Sequence, residues 1–179
     1  MKRLTLLRHA KSTWDDPVAR DFDRPLNRRG RKAARAVGAE MRRLGLEFDA
    51  VVASPAVRVK ETIADVEQGY GRPLGAEFDK RVYLATTDVL VEIVRGTDDA
   101  VERLLLVGHN PGLESLAIEF TGGSALRDEV ATKYPTGALA EIELPAAEWA
   151  DVRSGTGRLT RFVRPRDLDP ELGPDEDTY

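Results

Sequence analysis

The residues best suited to chemistry in this 179-residue chain are its only two histidines, and it has no cysteine at all. His9 follows Arg8 in LTLLRHAKSTW, and His109 stands in LLLVGHNPGL. The missing cysteine excludes disulfides, thiolate metal sites and a thiolate nucleophile together. A neutral imidazole is a competent nucleophile toward phosphorus, because a covalent intermediate splits one hard step into two. Guanidiniums such as Arg8 and Arg58 can grip phosphoryl oxygens bidentately and stay charged at any working pH. A second imidazole, if protonated, adds a donor where charge develops. Such a pocket asks for no metal.

Each of these residues also has a plainer reading. A lone histidine is more often a structural hydrogen-bonder, Arg8 alone could be a surface arginine, and Arg58 is singled out only by its offset from Ser54-Pro55 in VVASPAVRVKET. Ser54 reads as a helix N-cap, since no Gly-x-Ser-x-Gly elbow surrounds it. Lys11, Ser12 and Thr13 are as readily a solvated loop as phosphate donors. Trp14 either shapes a pocket mouth or caps the core, and Arg20 and Arg24 lie near enough to bind a substrate protein or a second phosphate. There is no metal-binding His-x-x-x-His or His-x-Asp spacing, no Walker loop and no Gly-x-Gly-x-x-Gly.

What lifts the histidines above these alternatives is the elements that must carry them. Short apolar runs alternate with longer amphipathic ones, the pattern of a largely parallel sheet with helices on both faces. Leu4 to Leu7, 49–53, 103–107, 138–144 and 158–163 read as strands, and 28–44, a stretch from Pro55 to about Glu67, 87–95 and 113–120 as helices. Asn27 is the expected N-cap of helix 28–44 and Gly45 its end, while Pro55 suits a first helical turn. The glycine-bearing stretch 68–86 reads as loop. Arg8-His9 and His109 thus fall just past strand C-termini, where ligand crevices of such sheets lie, with Arg58 one helical turn past a third.

Four segments in order carry a resemblance to a known family. LTLLRHAKSTW resembles the Arg-His-Gly signature of the histidine phosphatase superfamily, the phosphoglycerate mutase-like group. RPLNRRGRKAA resembles its Pro-Leu-Thr-x-x-Gly segment, VVASPAVRVKET its Ser-Pro-x-x-Arg-x-x-x-Thr segment, and LLLVGHNPGL its second-histidine motif as found in SixA-type phosphohistidine phosphatases. The resemblance implies a three-layer α/β/α sandwich with a mostly parallel central sheet. It implies that His9 is the nucleophile, that Arg8 and Arg58 clamp the phosphoryl oxygens, that His109 completes the pocket, and that neither metal nor cofactor takes part. Two departures stand out: Ala10 replaces a glycine, and Asp15 replaces an asparagine, so no binding role is carried onto Asp15. A third bears on the substrate. The family's acid for protonating an ester's leaving oxygen finds no match among Glu77, Asp79 and Asp88.

An alkoxide leaving group needs a general acid, typically worth ~10²–10⁴ in rate, whereas imidazole leaves far more readily. The expected function is therefore a metal-independent phosphatase acting on phosphohistidine in a protein. The alternatives are a small-molecule phosphomonoesterase or mutase of the same superfamily, or a non-catalytic phosphate-binding module. The formal net charge of −4 argues against nucleic acid and anionic membranes as partners. The apolar run of MKRLTLLRHA is too short for a signal peptide, and no stretch suits a membrane span, so the expected location is cytoplasmic. One domain is expected over 1–165, with 166–179 a loose acidic tail. The basic run Arg28, Arg29, Arg31, Lys32 and Arg35 reads as a wet helix face, or less readily as a dock for an acidic partner.

Overall fold

RLLLVG, a run apolar on both of its faces, belongs in the middle of a sheet covered on both sides. That is where it lies in the computed structural model, which describes residues 1–17 and 20–173. The described residues form one sheet in the order β3-β2-β4-β1-β5-β6. Its strands are β1 (Lys2–Arg8), β2 (Ala50–Ala53), β3 (Glu77–Phe78), β4 (Arg103–Gly108), β5 (Leu139–Leu144) and β6 (Arg158–Val163). Pairings β1–β4, β4–β2 and β2–β3 are parallel, whereas β1–β5 and β5–β6 are antiparallel. The helices are α1 (Arg28–Arg43), α2 (Val57–Tyr70), α3 (Thr87–Arg95), α4 (Gly112–Phe120), α5 (Ala125–Thr132) and α6 (Pro165–Leu168).

The period of two along β4 divides its side chains between two cores. Leu104 and Leu106 join Leu4, Leu6 and residues of α3 and α4 in one. Leu105 and Val107 join Leu7 and residues of α1 and α2 in the other. The result is the expected three-layer α/β/α arrangement, with the sheet mixed and its parallel strands grouped where the histidines emerge. None of the helices among the described residues is long and apolar enough to cross a membrane.

Helix α1 starts as its sequence dictates, with the Asn27 side chain accepting from the Gly30 N–H at 2.8 Å, and Gly45 follows it at φ +67°. It packs closely on α2, since a Cβ on Gly38 would sit 2.1 Å from the Val66 carbonyl oxygen. At its first turn a Cβ on Gly30 would sit equally near the Lys11 carbonyl oxygen, so α1 presses directly on the loop that follows His9.

Several expectations need correction. Pro55 does not enter the first turn of α2; Ala56 is the N-cap, and the helix runs on to Tyr70. The stretch 68–86 is not all loop, because β3 adds to the sheet edge and a 3-10 turn spans Lys80–Val82. Part of the stretch expected as a loose tail folds: α6 is followed by a 3-10 turn at Pro170–Leu172, and Leu172 is buried. There Arg29 donates to the Glu171 carbonyl at 2.8 Å, and Lys32 lies 3.6 Å from Asp169 and 3.5 Å from Glu171. On the α2 side, Arg31 and Arg35 pair with Asp65 at 3.5 and 3.1 Å. Much of the basic run is thus met by acids of its own chain. The remaining tail positions, 174–179, lie outside the described residues.

Candidate active site

Register brings the two histidines together. Arg8 pairs with Gly108 across β1 and β4, and the His9 N–H donates to the Gly108 carbonyl at 3.1 Å, so the chain leaves two adjacent parallel strands at the same level. The imidazole centroids lie 5.3 Å apart at 57°. On the other side of β4, the Ser54 N–H donates to the Val107 carbonyl at 3.0 Å, which starts α2 beside the same crevice and delivers Arg58. All four expected site residues line one cavity of about 1010 Å³, together with Lys11, Ser12, Thr13 and Trp14.

The His9 ring is buried, and its Nδ1 lies 2.7 Å from the Ala10 carbonyl. A carbonyl only accepts, so Nδ1 carries the proton and Nε2 keeps its lone pair. Burial, then Arg8, His109 and Arg58, push its pKa well below the usual imidazole value, even though the Ala10 bond opposes them. A neutral imidazole with an open Nε2 is the form that can attack phosphorus. Ala10 fits without strain, because Leu84 alone among the described non-glycine residues has a positive φ. Its N–H donates to Thr62 Oγ1 at 2.9 Å, while the Thr62 hydroxyl donates to the Arg58 carbonyl at 2.6 Å. One threonine thereby ties the His9 loop to the Arg58 turn.

Both arginines line the cavity and are held through their guanidiniums by acceptors of the chain itself. Arg8 Nη1 donates to the Tyr134 carbonyl at 2.9 Å. Arg58, 2% exposed, donates from Nη1 to the Asp21 carbonyl at 2.7 Å and from Nη2 to Asp21 Oδ2 at 3.0 Å. The buried Nε of each has no partner. An unmet buried donor costs ~1–3 kcal/mol, a cost each side chain bears in holding its guanidinium beside the cavity. Burial lowers the Arg8 pKa to about 10, which leaves it charged near neutrality.

His109 is neutral too. Burial first and Arg58 second lower its pKa to about 3. Arg58 Nη2 approaches its Nδ1 at 3.3 Å, and only a donor can lie there, so Nδ1 accepts and the Nε2–H donates to Ser54 Oγ at 2.7 Å. Ser54 is therefore not the N-cap it resembled; it accepts from Ala56 N–H at 3.2 Å and holds His109. The protonated second imidazole considered from the sequence is not the resting state here.

Sequence reasoning overlooked several residues around this site, Thr62 among them. Asp21 receives Arg58, Arg24 and the Tyr83 hydroxyl; Glu114 lines the cavity near Arg8; and the Tyr134 carbonyl holds Arg8 and Asn110. Trp14 is 60% exposed, with the Arg24 guanidinium 3.4 Å from its ring centroid, so it shapes the mouth rather than capping the core. Arg24 lines the cavity, and Arg20 pairs with Asp23 at 3.0 Å. Glu77, Asp79 and Asp88 do not line the cavity, and Asp79 pairs with Arg81 at 2.7 Å. Among the described residues no group of three or more His, Asp or Glu side chains is placed to hold a metal ion.

The comparisons agree with this geometry. The model of the "Histidine phosphatase superfamily (branch 1)" matches residues 4–82. An uncharacterised protein of Mycobacterium tuberculosis is 36% identical over 164 residues, covering 89% of this chain and all of its own length. A structure from Agrobacterium tumefaciens, provisionally named phosphohistidine phosphatase SixA, is 27% identical with a TM-score of 0.77, covering 92% of this chain and 98% of its own. A similarly named structure from Nakamurella multipartita is 26% identical with a TM-score of 0.78, covering 92% and 96%. This chain belongs to the histidine phosphatase superfamily and is similar to its SixA-like members.

Proposed function

We propose that the chain is a metal-independent phosphatase that hydrolyses phosphohistidine in a protein through a phosphohistidine intermediate on His9. The observation that carries this reading is the His9 ring, neutral and fixed by Ala10 with Nε2 unengaged, in one cavity with the guanidiniums of Arg8 and Arg58. In the first step Nε2 attacks phosphorus, the bond to the substrate's nitrogen breaks, and the departing imidazole takes its proton from solvent. In the second, water attacks the phosphorylated His9 and releases inorganic phosphate. Arg8 and Arg58 carry the charge spread over the equatorial oxygens, with His109 beside them.

The preference for P–N over P–O cleavage rests on the segment 77–88, none of whose carboxylates reaches the cavity. The similarity to proteins named for SixA supports the same substrate class. One observation favours the second reading, a small-molecule phosphomonoesterase. Glu114 lines the cavity, and burial raises its pKa, so it is the cavity carboxylate best able to supply a proton. Side-by-side kinetics on a phosphohistidine peptide and on sugar and aryl phosphates decide between them. The proposal expects a large preference for phosphohistidine, loss of turnover in His9→Ala, and little effect of Glu114→Gln. A preference for the sugar phosphate, abolished by Glu114→Gln, would establish the second reading instead.

A further inference from the structure

A carboxylate is an unexpected neighbour for an anion site, yet Asp21 lies in the wall of this cavity. Burial pulls its carboxyl upward, but the Tyr83 hydroxyl and Arg58 outweigh that and hold it below the usual range, so it is ionised. Both oxygens are engaged. Oδ1 receives Arg24 at 3.2 Å; Oδ2 receives Arg58 Nη2 at 3.0 Å and the Tyr83 hydroxyl at 2.5 Å. The Asp21 carbonyl takes Arg58 Nη1 as well, so this one residue accepts two donors from the guanidinium. Tyr83 in turn sets its ring edge-on to His109, at 5.4 Å and 83°, and to Phe22 at 5.1 Å.

A negative charge here opposes the ground-state binding of a phosphate. What it contributes is orientation. With two donors of Arg58 fixed, the guanidinium cannot swing out to pair with whatever anion enters, and the face it turns to the cavity stays where the fold puts it. A clamp fixed this way is worth most when charge builds on the equatorial oxygens, in the transition state. We propose that Asp21 and Tyr83 are a positioning pair that sets the angle of Arg58 and the seat of His109 at the expense of phosphate affinity. This rests on the phosphoryl-transfer reading given above.

The test is a split between turnover and binding, measured with inorganic phosphate as a competitive inhibitor. Asp21→Asn should lower kcat by ~10–100-fold, the loss expected for one charge-assisted interaction, while the phosphate inhibition constant stays level or falls. Tyr83→Phe keeps the ring against Phe22 and His109 but removes the hydroxyl; it should lower kcat by ~3–10-fold, again without weaker phosphate binding. The double variant should be no slower than Asp21→Asn, because both act on one element. The pair is refuted if kcat is unchanged in both variants, or if the inhibition constant rises as kcat falls, the mark of a direct binding contact. If Asp21→Asn does not fold, Tyr83→Phe decides alone. Wild-type protein inactive on every phosphate compound would defeat the phosphatase reading instead, which is a separate outcome.

Discussion

Acid should destabilise this fold through His9 and His109, and the chain is well suited to showing it because it has no other histidine. Both imidazoles are held neutral by burial, His109 with a pKa of about 3 and His9 well below the ordinary value. In the unfolded chain each has a pKa near ~6.5. Since the folded values are depressed, the unfolded state binds more protons, and stability is lost as pH falls below ~6.5. By pH 5 each histidine that stays neutral in the fold costs about 2 kcal/mol, so the pair approaches ~4 kcal/mol. That is a large share of the ~5–15 kcal/mol that typically holds a domain together. Glu114 acts in the opposite sense, because its raised pKa favours the fold as pH falls, and so trims the slope. Urea unfolding at pH 7.5, 6.5, 5.5 and 5.0 reads the effect directly, beside His109→Asn, which should remove about half of the slope. Adding phosphate should flatten the wild-type curve, since a bound anion favours the imidazolium. Stability that is level from pH 7.5 to 5.0, or an unchanged slope in His109→Asn, would refute the assignment of neutral buried imidazoles.

Three further outcomes follow from the packing. Gly30→Ala puts a Cβ 2.1 Å from the Lys11 carbonyl oxygen, so α1 and the His9 loop must part; a loss of about 1–3 kcal/mol in chemical denaturation and slower turnover are expected. Ser54→Ala removes the acceptor that fixes His109 Nε2; kcat should fall ~5–20-fold with about 1 kcal/mol of stability lost, checked by kinetics and melting. Arg58→Lys keeps the charge but cannot meet Asp21, His109 and an anion at once, so kcat/KM should fall by ~10²-fold or more, with Lys failing to rescue relative to Ala by more than a few-fold.

The parts of this structure legible in the sequence are those whose signal is local. LTLLR and RLLLVG announce strands buried on both faces, and the strand ends then place His9 and His109 without further information. Asn27 and Gly45 mark helix α1 because capping is chemistry within a few residues. What stayed hidden depends on partners far along the chain. Glu77-Phe78 is a strand only because β2 offers an edge, and α5 has a single buried residue, Val130, too few for a period to show. Asp21 looks like any loop acid until the fold brings up Arg58 and Tyr83 from two different segments. Thr62 was within reach, since it stands one helical turn after Arg58 and its hydroxyl bonds the Arg58 carbonyl. The stretch after 165 reads as loose because its few apolar residues are only worth burying against α1, whose basic side chains also meet its acids.

The pairing of Arg8 with Gly108 bears on how the protein comes to be folded as well as on what it does. β1 is synthesised before the other described strands, yet both of its neighbours, β4 and β5, come late in their order. β1 must therefore wait, with both of its hydrogen-bonding edges unpaired, until the polypeptide through β4 is available. Long-range parallel pairing of this kind is slow and leaves surface exposed to aggregation. A nascent chain ending before residue 103 holds Arg8, His9 and Arg58 but not the strand against which they are set. Competence for chemistry should thus arrive late and all at once in biosynthesis, when β4 slots between β2 and β1.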